Sequence, residues 1–312
     1  MDDRLDVAII GAGITGLTCA RKLQAAGLRV RLFDKGRGAG GRLATRRTDG
    51  GLRFDHGAQY LQPRHPDFKS LLEDLRGSGQ TADWDQLDGA FVGTPGMSQL
   101  PRALSRDLDI RQGAQVTQLV AERPGWRLGV EGAWHTARRV VLAIPAPQAR
   151  DLLGQDHAFS AALQMVHFQA NITVMIGLDP AAPRPFVTRE GQGPLAWITQ
   201  DSAKPGRGGQ PLTTWVVQAD PEWSMANIDL PFDTLADRVA PLLLQSIGAE
   251  PDHLRHKAAH RWLYARADQP LGHPFLSDDA SGLIVGGDWT LGPTAEDGWA
   301  SGRAMAAHLL AA

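Results

Sequence analysis

The stretch that decides the fold is Leu5–Arg42, which reads LDVAIIGAGITGLTCARKLQAAGLRVRLFDKGRGAGGR. It opens on a short apolar run of the kind that forms a strand buried on both faces of a parallel sheet. Three glycines in G-x-G-x-x-G spacing follow at once, and apolar residues at helical spacing come after them. A second apolar run, residues 30–33, ends on Asp34. The pattern predicts a strand–helix–strand unit that opens an α/β fold.

Each glycine of the first turn has its own physical role. Gly11 permits the tight turn out of the strand, Gly13 lets the backbone approach a pyrophosphate, and Gly16 lets the helix pack closely on the sheet. The helix N-terminus then offers N–H groups and a positive dipole end to phosphates. Asp34 lies 18 positions after Gly16, near the offset at which an acid hydrogen-bonds ribose hydroxyls. We therefore predict dinucleotide binding, and the alternative is a glycine-rich turn without a ligand.

The segment GRGAGGR, residues 36–42, resembles the G-G-R segment of the glutathione-reductase-like flavoproteins, specifically the flavin amine oxidase group. In that group the Gly-Gly backbone and the arginine lie against the FAD pyrophosphate. By the same resemblance DHGAQY, residues 55–60, would pass beside the isoalloxazine ring. The apolar strand in residues 282–289 would deliver Asp288 towards the ribityl–pyrophosphate region. The N-terminus of the last helix, at Gly298 and Trp299, would face the flavin pyrimidine.

The resemblance implies FAD, and because Cys19 is the only thiol in the chain we predict that FAD is held without a covalent bond. The cofactor-binding residues that it implies are Gly11, Ala12, Gly13, Ile14, Thr15, Gly16, Asp34, Lys35, Gly41, Arg42, His56, Gly57, Ala58, Val116, Asp288, Gly298, Trp299 and Ala300. For His56 the minor alternatives are a covalent flavin anchor and a general base. We expect Arg46 and Arg47 to form a solvated basic patch.

Composition narrows the class of protein. The 312 residues are 43% hydrophobic and 21% charged, which is ordinary for a globular protein, and the net charge of −2 favours neither nucleic acid nor an anionic membrane as a partner. No apolar run approaches the length of a membrane span or a signal sequence. The single cysteine, Cys19, fits a reducing compartment, so we expect a cytoplasmic location. His253, His256 and His260 are too loosely spaced for us to predict a metal site.

The middle of the chain changes character. Strand-like segments at 171–178, 194–199, 213–218 and 258–265, a helix at 231–247 and a polar loop at 201–210 predict a mostly antiparallel sheet with helices. We predict an α/β fold in which a Rossmann-like FAD-binding domain, residues 1–62, 96–154 and 269–312, carries an inserted α+β substrate domain, residues 63–95 and 155–268. This is the architecture that the flavin amine oxidase and p-hydroxybenzoate hydroxylase resemblance implies.

Several segments narrow the resemblance to the bacterial renalases, compact members of the flavin amine oxidase group. They are FDKGRGAGGR, DHGAQY, the stretch from Ser202 to Arg207, and the pair AHRWLYAR and GGDWTLGPTAEDGWASG. Those relatives carry a lysine where Thr94 stands and a cysteine where Thr290 stands, which leaves the substrate open. The resemblance implies an oxidase that converts 2- and 6-dihydro-NAD(P) to NAD(P)+ and reduces O2 to H2O2.

A dihydropyridine releases hydride by becoming aromatic, so this chemistry requires no side-chain base, and none stands out in the sequence. The residues that we choose for the substrate pocket are Gln59, Tyr60, Met97, Trp197 and Trp262. The main alternative is a flavin-containing amine oxidase acting on a small amine. A flavin monooxygenase and a non-catalytic FAD-fold scaffold also stay open, as do the oligomeric state and the preference for a phosphorylated dinucleotide.

Overall fold

The computed structural model describes residues 4–311. Its strands, in chain order, are β1 (Leu5–Ile10), β2 (Val30–Asp34), β3 (Thr45–Arg47), β4 (Arg53–Asp55), β5 (Thr81–Asp83), β6 (Phe91–Gly93), β7 (Ile110–Gln112), β8 (Val116–Ala121), β9 (Trp126–Val130), β10 (Ala133–Leu142), β11 (Phe168–Leu178), β12 (Thr188–Glu190), β13 (Trp197–Gln200), β14 (Thr213–Gln218), β15 (Leu254–Ala267), β16 (Leu276–Asp278) and β17 (Leu283–Val285). Its α-helices are α1 (Ile14–Ala25), α2 (Pro66–Gly77), α3 (Gln99–Leu104), α4 (Ala146–Leu153), α5 (Ser160–Gln164), α6 (Pro221–Ala226), α7 (Phe232–Ile247) and α8 (Ala295–Ala311).

The chain forms two compact units. Unit 1 consists of Met1–Gly41, Pro101–Phe168 and Arg266–Ala312, and unit 2 of Arg42–Leu100 and Gln169–Ala265. The main sheet of unit 1 has the order β16-β17-β10-β1-β2-β7, in which β1 lies between β10 and β2 and pairs parallel with both. The strands β8, β9 and β10 form an antiparallel meander on the same sheet. The predicted Rossmann-like opening and the small meander are therefore both present.

Unit 2 is built on a five-stranded sheet with the order β12-β13-β14-β11-β15. Because side chains alternate along a strand, β11 sends its apolar residues to two different faces. Ile172, Val174 and Ile176 join the core that α7 covers, whereas Met175 packs with Phe54 of the β3–β4 hairpin. The expected sheet with a helix behind it is present, and β15 is longer than the predicted 258–265.

Unit boundaries differ from the predicted domain boundaries. Residues 42–62 and 96–100, predicted in the FAD-binding domain, belong to unit 2, and residues 155–168 and 266–268 belong to unit 1. The hairpin joins unit 2 because Leu52 and Phe54 are buried against Met175 and Val216. Which segments serve the cofactor stays a prediction, as does the role of residues 1–3 and 312, which lie outside the described residues.

Two local predictions need correction. The strand predicted over 194–199 starts only at Trp197, because Gly193–Leu195 form a 3-10 turn. The last helix begins at Ala295, before the predicted start at Gly298. Within residues 4–311, no helix is both long enough and apolar enough to cross a bilayer.

Candidate functional site

The glycine-rich turn of unit 1 has the geometry of a phosphate cradle. Gly11 has a φ of +101°, and its N–H donates to the Phe33 carbonyl at 2.8 Å. A Cβ on Gly16 would overlap the Gly11 carbonyl, so only glycine lets α1 lie this close to the turn. Gly13 caps α1 without a side-chain hydrogen bond, and the first turn carries no acid. The backbone N–H groups at the start of α1 therefore suit an anionic ligand such as a dinucleotide pyrophosphate.

Asp34 ties together the two loops at the end of the sheet. Its Oδ2 accepts from the Ala12 N–H and its Oδ1 from the Gly36 N–H, both at 2.6 Å. The Asp34 carbonyl accepts from the Ala114 N–H at 2.8 Å, two residues before the predicted contact Val116. The acid predicted to bind ribose thus already organises the backbone around it. Lys35 beside it is exposed.

The two predicted FAD signatures of unit 1 meet at the start of α8. A Cβ on Gly298 would lie 2.9 Å from Thr15 Oγ1 and 3.0 Å from Ile14 Cγ2. Gly298 is not the N-terminus, however, because its N–H donates to the Thr294 carbonyl at 3.2 Å and α8 begins three residues earlier. Trp299 and Asp288 are each only 6% exposed. The prediction that the N-terminus of the last helix lies at Gly298 and Trp299 was wrong, since the helix begins at Ala295.

The predicted cofactor-binding residues of unit 2 lie in and around the DHGAQ segment. Gly57 approaches so closely that a Cβ would overlap the Arg42 carbonyl, and the Ala58 N–H donates to the same carbonyl at 3.0 Å. The Arg42 guanidinium donates to the Ala265 carbonyl at 2.9 Å. Trp262 Nε1 donates to the His56 carbonyl at 2.8 Å. Within unit 2, Arg42, His56, Gly57 and Ala58 therefore form one continuous group.

The three aromatic residues predicted in the pocket do not form one ring cluster. Tyr60 lies between Trp84 and Trp197, with ring centroids 5.7 and 5.8 Å away. Trp262 instead packs with His56 and His260, at 5.3 and 4.4 Å. Trp84 and His260 are ring partners that we did not predict in the pocket.

Gln59 and Met97 are buried in unit 2. The Met97 side chain has no exposed surface, and its sulfur accepts from the Gly93 N–H at 3.4 Å. Gln59 Nε2 donates to the Gly57 carbonyl at 3.1 Å, and its Oε1 accepts from Lys204 Nζ at 3.1 Å. Gln59 is therefore held by hydrogen bonds at both ends of its amide group.

A cluster that we call the buried quartet, formed by Asp55, Asp201, Lys204 and Arg207, holds this part of unit 2 together. All four side chains have no exposed surface. Lys204 Nζ lies 2.8 Å from Asp201 Oδ1 and 3.5 Å from Asp55 Oδ2, and Arg207 donates directly to Asp55. The predicted polar loop 201–210 is thus not a solvated loop, because its charges pair inside the fold.

The two acids of the buried quartet differ in pKa. Burial favours a raised pKa for Asp55, but Lys204 and Arg207 outweigh burial and hold its pKa below the ordinary value. For Asp201, burial raises the pKa, and the negative charge of Asp55 adds to that rise against the two cations. Asp55 is therefore the more firmly ionised acid, and neither acid is available to a ligand.

His56 lacks the properties of a base at neutral pH. Burial, followed by the charges of His260 and Arg46, lowers the pKa of His56 to about 4. Its Nδ1 is buried without a hydrogen-bond partner among the described residues. A neutral imidazole with an unpaired ring nitrogen can contact a ligand, but it is a weak proton acceptor at pH 7.

Two family models match this chain. Residues 9–75 match the NAD(P)-binding Rossmann-like domain, and residues 79–310 match the flavin containing amine oxidoreductase family. Among curated proteins, a 69-residue segment is 41% identical to protoporphyrinogen oxidase 2 of Arabidopsis thaliana, covering 22% of this chain and 13% of that protein. A 71-residue segment is 37% identical to a 4,4'-diapophytoene desaturase of Staphylococcus haemolyticus, covering 22% of this chain and 14% of that protein. The matching segments therefore span a small part of these relatives.

Solved structures share the fold over the whole chain. A chain assigned as a protoporphyrinogen oxidase from Exiguobacterium sp. 255-15 superposes with a TM-score of 0.76 at 15% identity, covering 98% of this chain and 99% of that one. Wild-type putrescine oxidase bound to putrescine superposes with a TM-score of 0.68 at 15% identity, covering 99% of both chains. At this identity the likeness establishes the architecture alone.

Proposed function

This chain belongs to the flavin containing amine oxidoreductase family, and from that premise we propose that it is an FAD-dependent, renalase-like oxidase of 2- and 6-dihydro-NAD(P). The overall reaction would consume one dihydronicotinamide, one O2 and one proton, and yield NAD(P)+ and H2O2. FAD, when bound, would accept the hydride and pass both electrons to O2. The protein's own task would be to bind and orient the reactants.

The observation that carries the proposal is that, among the described residues, the buried carboxylates of unit 2 are ion-paired and His56 has a low pKa. Among the described residues of unit 2, Asp55 and Asp201 are the buried carboxylates, and both lie against Lys204 and Arg207. His56 is neutral at pH 7 because of its low pKa. A dihydropyridine gives up hydride without a base, so it suits such a pocket better than a substrate that must first lose a proton.

In the proposed mechanism the residues of unit 1 hold the cofactor. The N–H groups at Gly13 and the start of α1 would receive the pyrophosphate, and Asp34 would hold both neighbouring loops while it accepts from a ribose hydroxyl. In unit 2, Gly57 keeps the DHGAQ backbone free of a side chain, and Trp262 fixes the His56 carbonyl. These contacts position groups and transfer no proton.

An amine oxidase is the second candidate, and one observation favours it. Tyr60 lies between the rings of Trp84 and Trp197, and the half-buried Tyr60 and Trp197 offer aromatic faces that an amine can contact, whereas Trp84 is buried. Lys204 Nζ, however, lies 5.8 Å from the centre of the Trp84 ring, and a second cation there would be repelled. The ring cluster therefore favours an amine only if it binds uncharged.

The deciding experiment is rapid mixing of the FAD-loaded enzyme without oxygen. The 2-, 6- and ordinary 4-dihydro isomers and a panel of small amines that includes putrescine are mixed separately while flavin absorbance is followed. We expect fast bleaching by the 2- and 6-dihydro isomers. The 4-dihydro isomer should be about a hundredfold slower, because one pose cannot place all three ring carbons at the flavin and a misplacement of ~1 Å costs about that much. Peroxide is measured after air is admitted. Fast bleaching by an amine, with none by the two isomers, would establish the second candidate.

We also propose that FAD is held without a covalent bond. Cys19 is fully buried within α1, and burial raises the pKa of its thiol to about 12, so it does not suit an attachment point. Acid precipitation should release all the yellow colour into the supernatant. Colour that stays in the pellet would point to His56.

A further inference from the structure

One face of β15 carries two histidines beside the β3–β4 hairpin. Residues at even positions along β15 share a face, so His256 and His260 lie on the same side of the sheet. His256 stacks on Phe54 of β4 with ring centroids 5.5 Å apart and an angle of 23°. His260 meets His56, just beyond β4, at 4.9 Å. The two imidazoles are therefore fixed against the hairpin.

Arg46 adds a permanent positive charge to the β3–β4 hairpin against which the two histidines pack. It stands opposite Phe54 in the pairing of β3 with β4, and it is exposed. Among residues 4–311, its guanidinium has no hydrogen-bond or ion-pair partner. Burial and then the charge of Arg46 lower the pKa values of His256 and His260, the charge of Arg261 adds to the shift of His260, and no carboxylate is among the causes of either shift. We call Arg46, His256 and His260 the cationic face.

The chemistry of the cationic face selects among possible ligands. A metal ion would be repelled by the guanidinium and would find no carboxylate there. Arg46 pairs with Phe54 across the hairpin, and the His256 ring stacks on Phe54, so this imidazole lies on the same side of the hairpin as the guanidinium. A guanidinium with adjacent imidazole N–H donors is a phosphate-binding arrangement, because it supplies both a fixed charge and directed hydrogen bonds.

We propose that the cationic face binds a phosphate group of a dinucleotide, namely the dihydronicotinamide dinucleotide substrate. This assignment rests on the proposed function. Arg46 and a ring N–H of His256 would donate to one phosphate of the substrate's pyrophosphate, and His260, four residues and roughly 13 Å along β15, would donate to its other phosphate. The face would therefore recognise the phosphate-bearing part of the substrate and take no part in hydride transfer.

The first test measures binding without turnover. Inorganic pyrophosphate is titrated into the FAD-loaded enzyme at constant ionic strength while the imidazole signals are followed by NMR. We expect saturable shifts at His256 and His260. Arg46→Gln should raise the Kd roughly ten- to a hundredfold, since a charge-assisted contact is lost. Arg47→Gln is the matched control, because Arg47 is exposed, follows Arg46 on β3 and points to the opposite face. A linear, non-saturating response, or equal loss in both variants, would overturn the site.

The second test separates the substrate phosphate from free phosphate. KM and kcat are compared for 6-dihydronicotinamide as riboside, mononucleotide and dinucleotide. We expect Arg46→Gln to raise KM about tenfold or more for a phosphate-bearing form and to leave kcat and the riboside unchanged. Pyrophosphate binding without any KM effect would overturn the dinucleotide assignment. If no isomer is oxidised at all, the proposed function is wrong, while the pyrophosphate titration still tests whether the cationic face binds phosphate.

Discussion

Asp34 is the residue on which the FAD assignment depends most directly. Its two oxygens already accept from the N–H groups of Ala12 and Gly36, so its removal should disorganise the phosphate cradle as well as the predicted ribose contact. We expect Asp34→Ala to raise the Kd of the apoprotein for FAD roughly ten- to a hundredfold, as measured by fluorescence titration. Asp109→Ala is the control, because Asp109 is exposed and pairs with Arg31. An unchanged FAD Kd in Asp34→Ala would contradict the assignment.

The buried quartet is a set of contacts that could not be predicted from the sequence. Residues 201–210 predict a polar loop, since they combine charged residues with glycine and proline. Their partner Asp55 is 146 positions from Asp201 and 152 from Arg207. No local sequence pattern predicts that residues so far apart form ion pairs. The ribose role of Asp34 could be predicted from sequence, and it stays a prediction, because the motif that points to it lies within one strand–helix–strand unit. Long-range charge pairing is specified by tertiary packing and was therefore missed.

Lys204 is expected to contribute strongly to stability. Lys204→Met leaves Asp201 buried without its nearest cation, so we expect the free energy of unfolding to fall by about 3–5 kcal/mol in urea denaturation. Lys257→Met is the control, because its exposed pair with Asp237 should be worth at most about 1 kcal/mol. Adding Asp201→Asn to Lys204→Met should recover part of the loss. Equal losses in Lys204→Met and Lys257→Met would show that the quartet is not a stabilising unit.

At the scale of elements, periodic segments were predictable and their ends were less so. The helix predicted to start at Gly298 starts at Ala295. A signal was present in the sequence, because Thr294 and Asp297 exchange hydrogen bonds across the first turn in a T-x-x-D arrangement. The prediction followed the family resemblance, which points to Gly298, and did not use the cap formed by Thr294 and Asp297. The shift matters because it changes which N–H groups are left at the helix end.

The contact between α1 and α8 depends on a glycine. A Cβ on Gly302 would overlap the Thr15 carbonyl and lie 3.1 Å from Thr18 Cβ. Gly302→Ala should therefore cost about 1–3 kcal/mol through overpacking, and it should lower Tm by about 2–4 °C per kcal/mol.

The control for this contact is Gly77→Ala. Gly77 is the last residue of α2, and an added Cβ there meets no atom within 4 Å. That variant should be neutral or stabilising by up to about 1 kcal/mol, since alanine favours the helix. A Gly302→Ala protein as stable as Gly77→Ala would mean that α1 and α8 separate without cost.

At the scale of the whole molecule, the chain passes between the two units four times, after residues 41, 100, 168 and 265. Each unit is thus assembled from segments distant in sequence. The two FAD signatures near residues 11 and 288 could be assigned to one domain because they resemble a known pair. The hairpin β3–β4 was predicted in the FAD-binding domain but belongs to unit 2, because Leu52 and Phe54 are buried against Met175 and Val216, which lie far away in the sequence. Sequence therefore predicted the elements and the fold class better than the unit boundaries.

The stability of the whole protein should depend on the neutral state of His56. The pKa of His56 is about 4 in the folded protein, mainly because of burial, against 6.5 as its ordinary value. A histidine with a lowered pKa contributes its full stability above pH 6.5. That contribution is lost as the pH falls from 6.5 to 4, because the His56 imidazole binds a proton in the unfolded chain but not in the folded protein. The loss is about 3 kcal/mol for His56, and the lowered pKa values of His256 and His260 act in the same direction.

We therefore expect Tm to fall between pH 7 and pH 4 in the wild-type holoenzyme and to fall less in His56→Gln, which cannot take up that proton. Thermal unfolding is followed by circular dichroism at matched ionic strength across this range. His273→Gln is the control, because His273 is exposed and should leave the wild-type slope unchanged. If His56→Gln keeps the wild-type slope, the folded protein accommodates a charged imidazole at that position. The pocket would then contain an ionisable base after all, and the argument for a substrate that needs none would lose its main support.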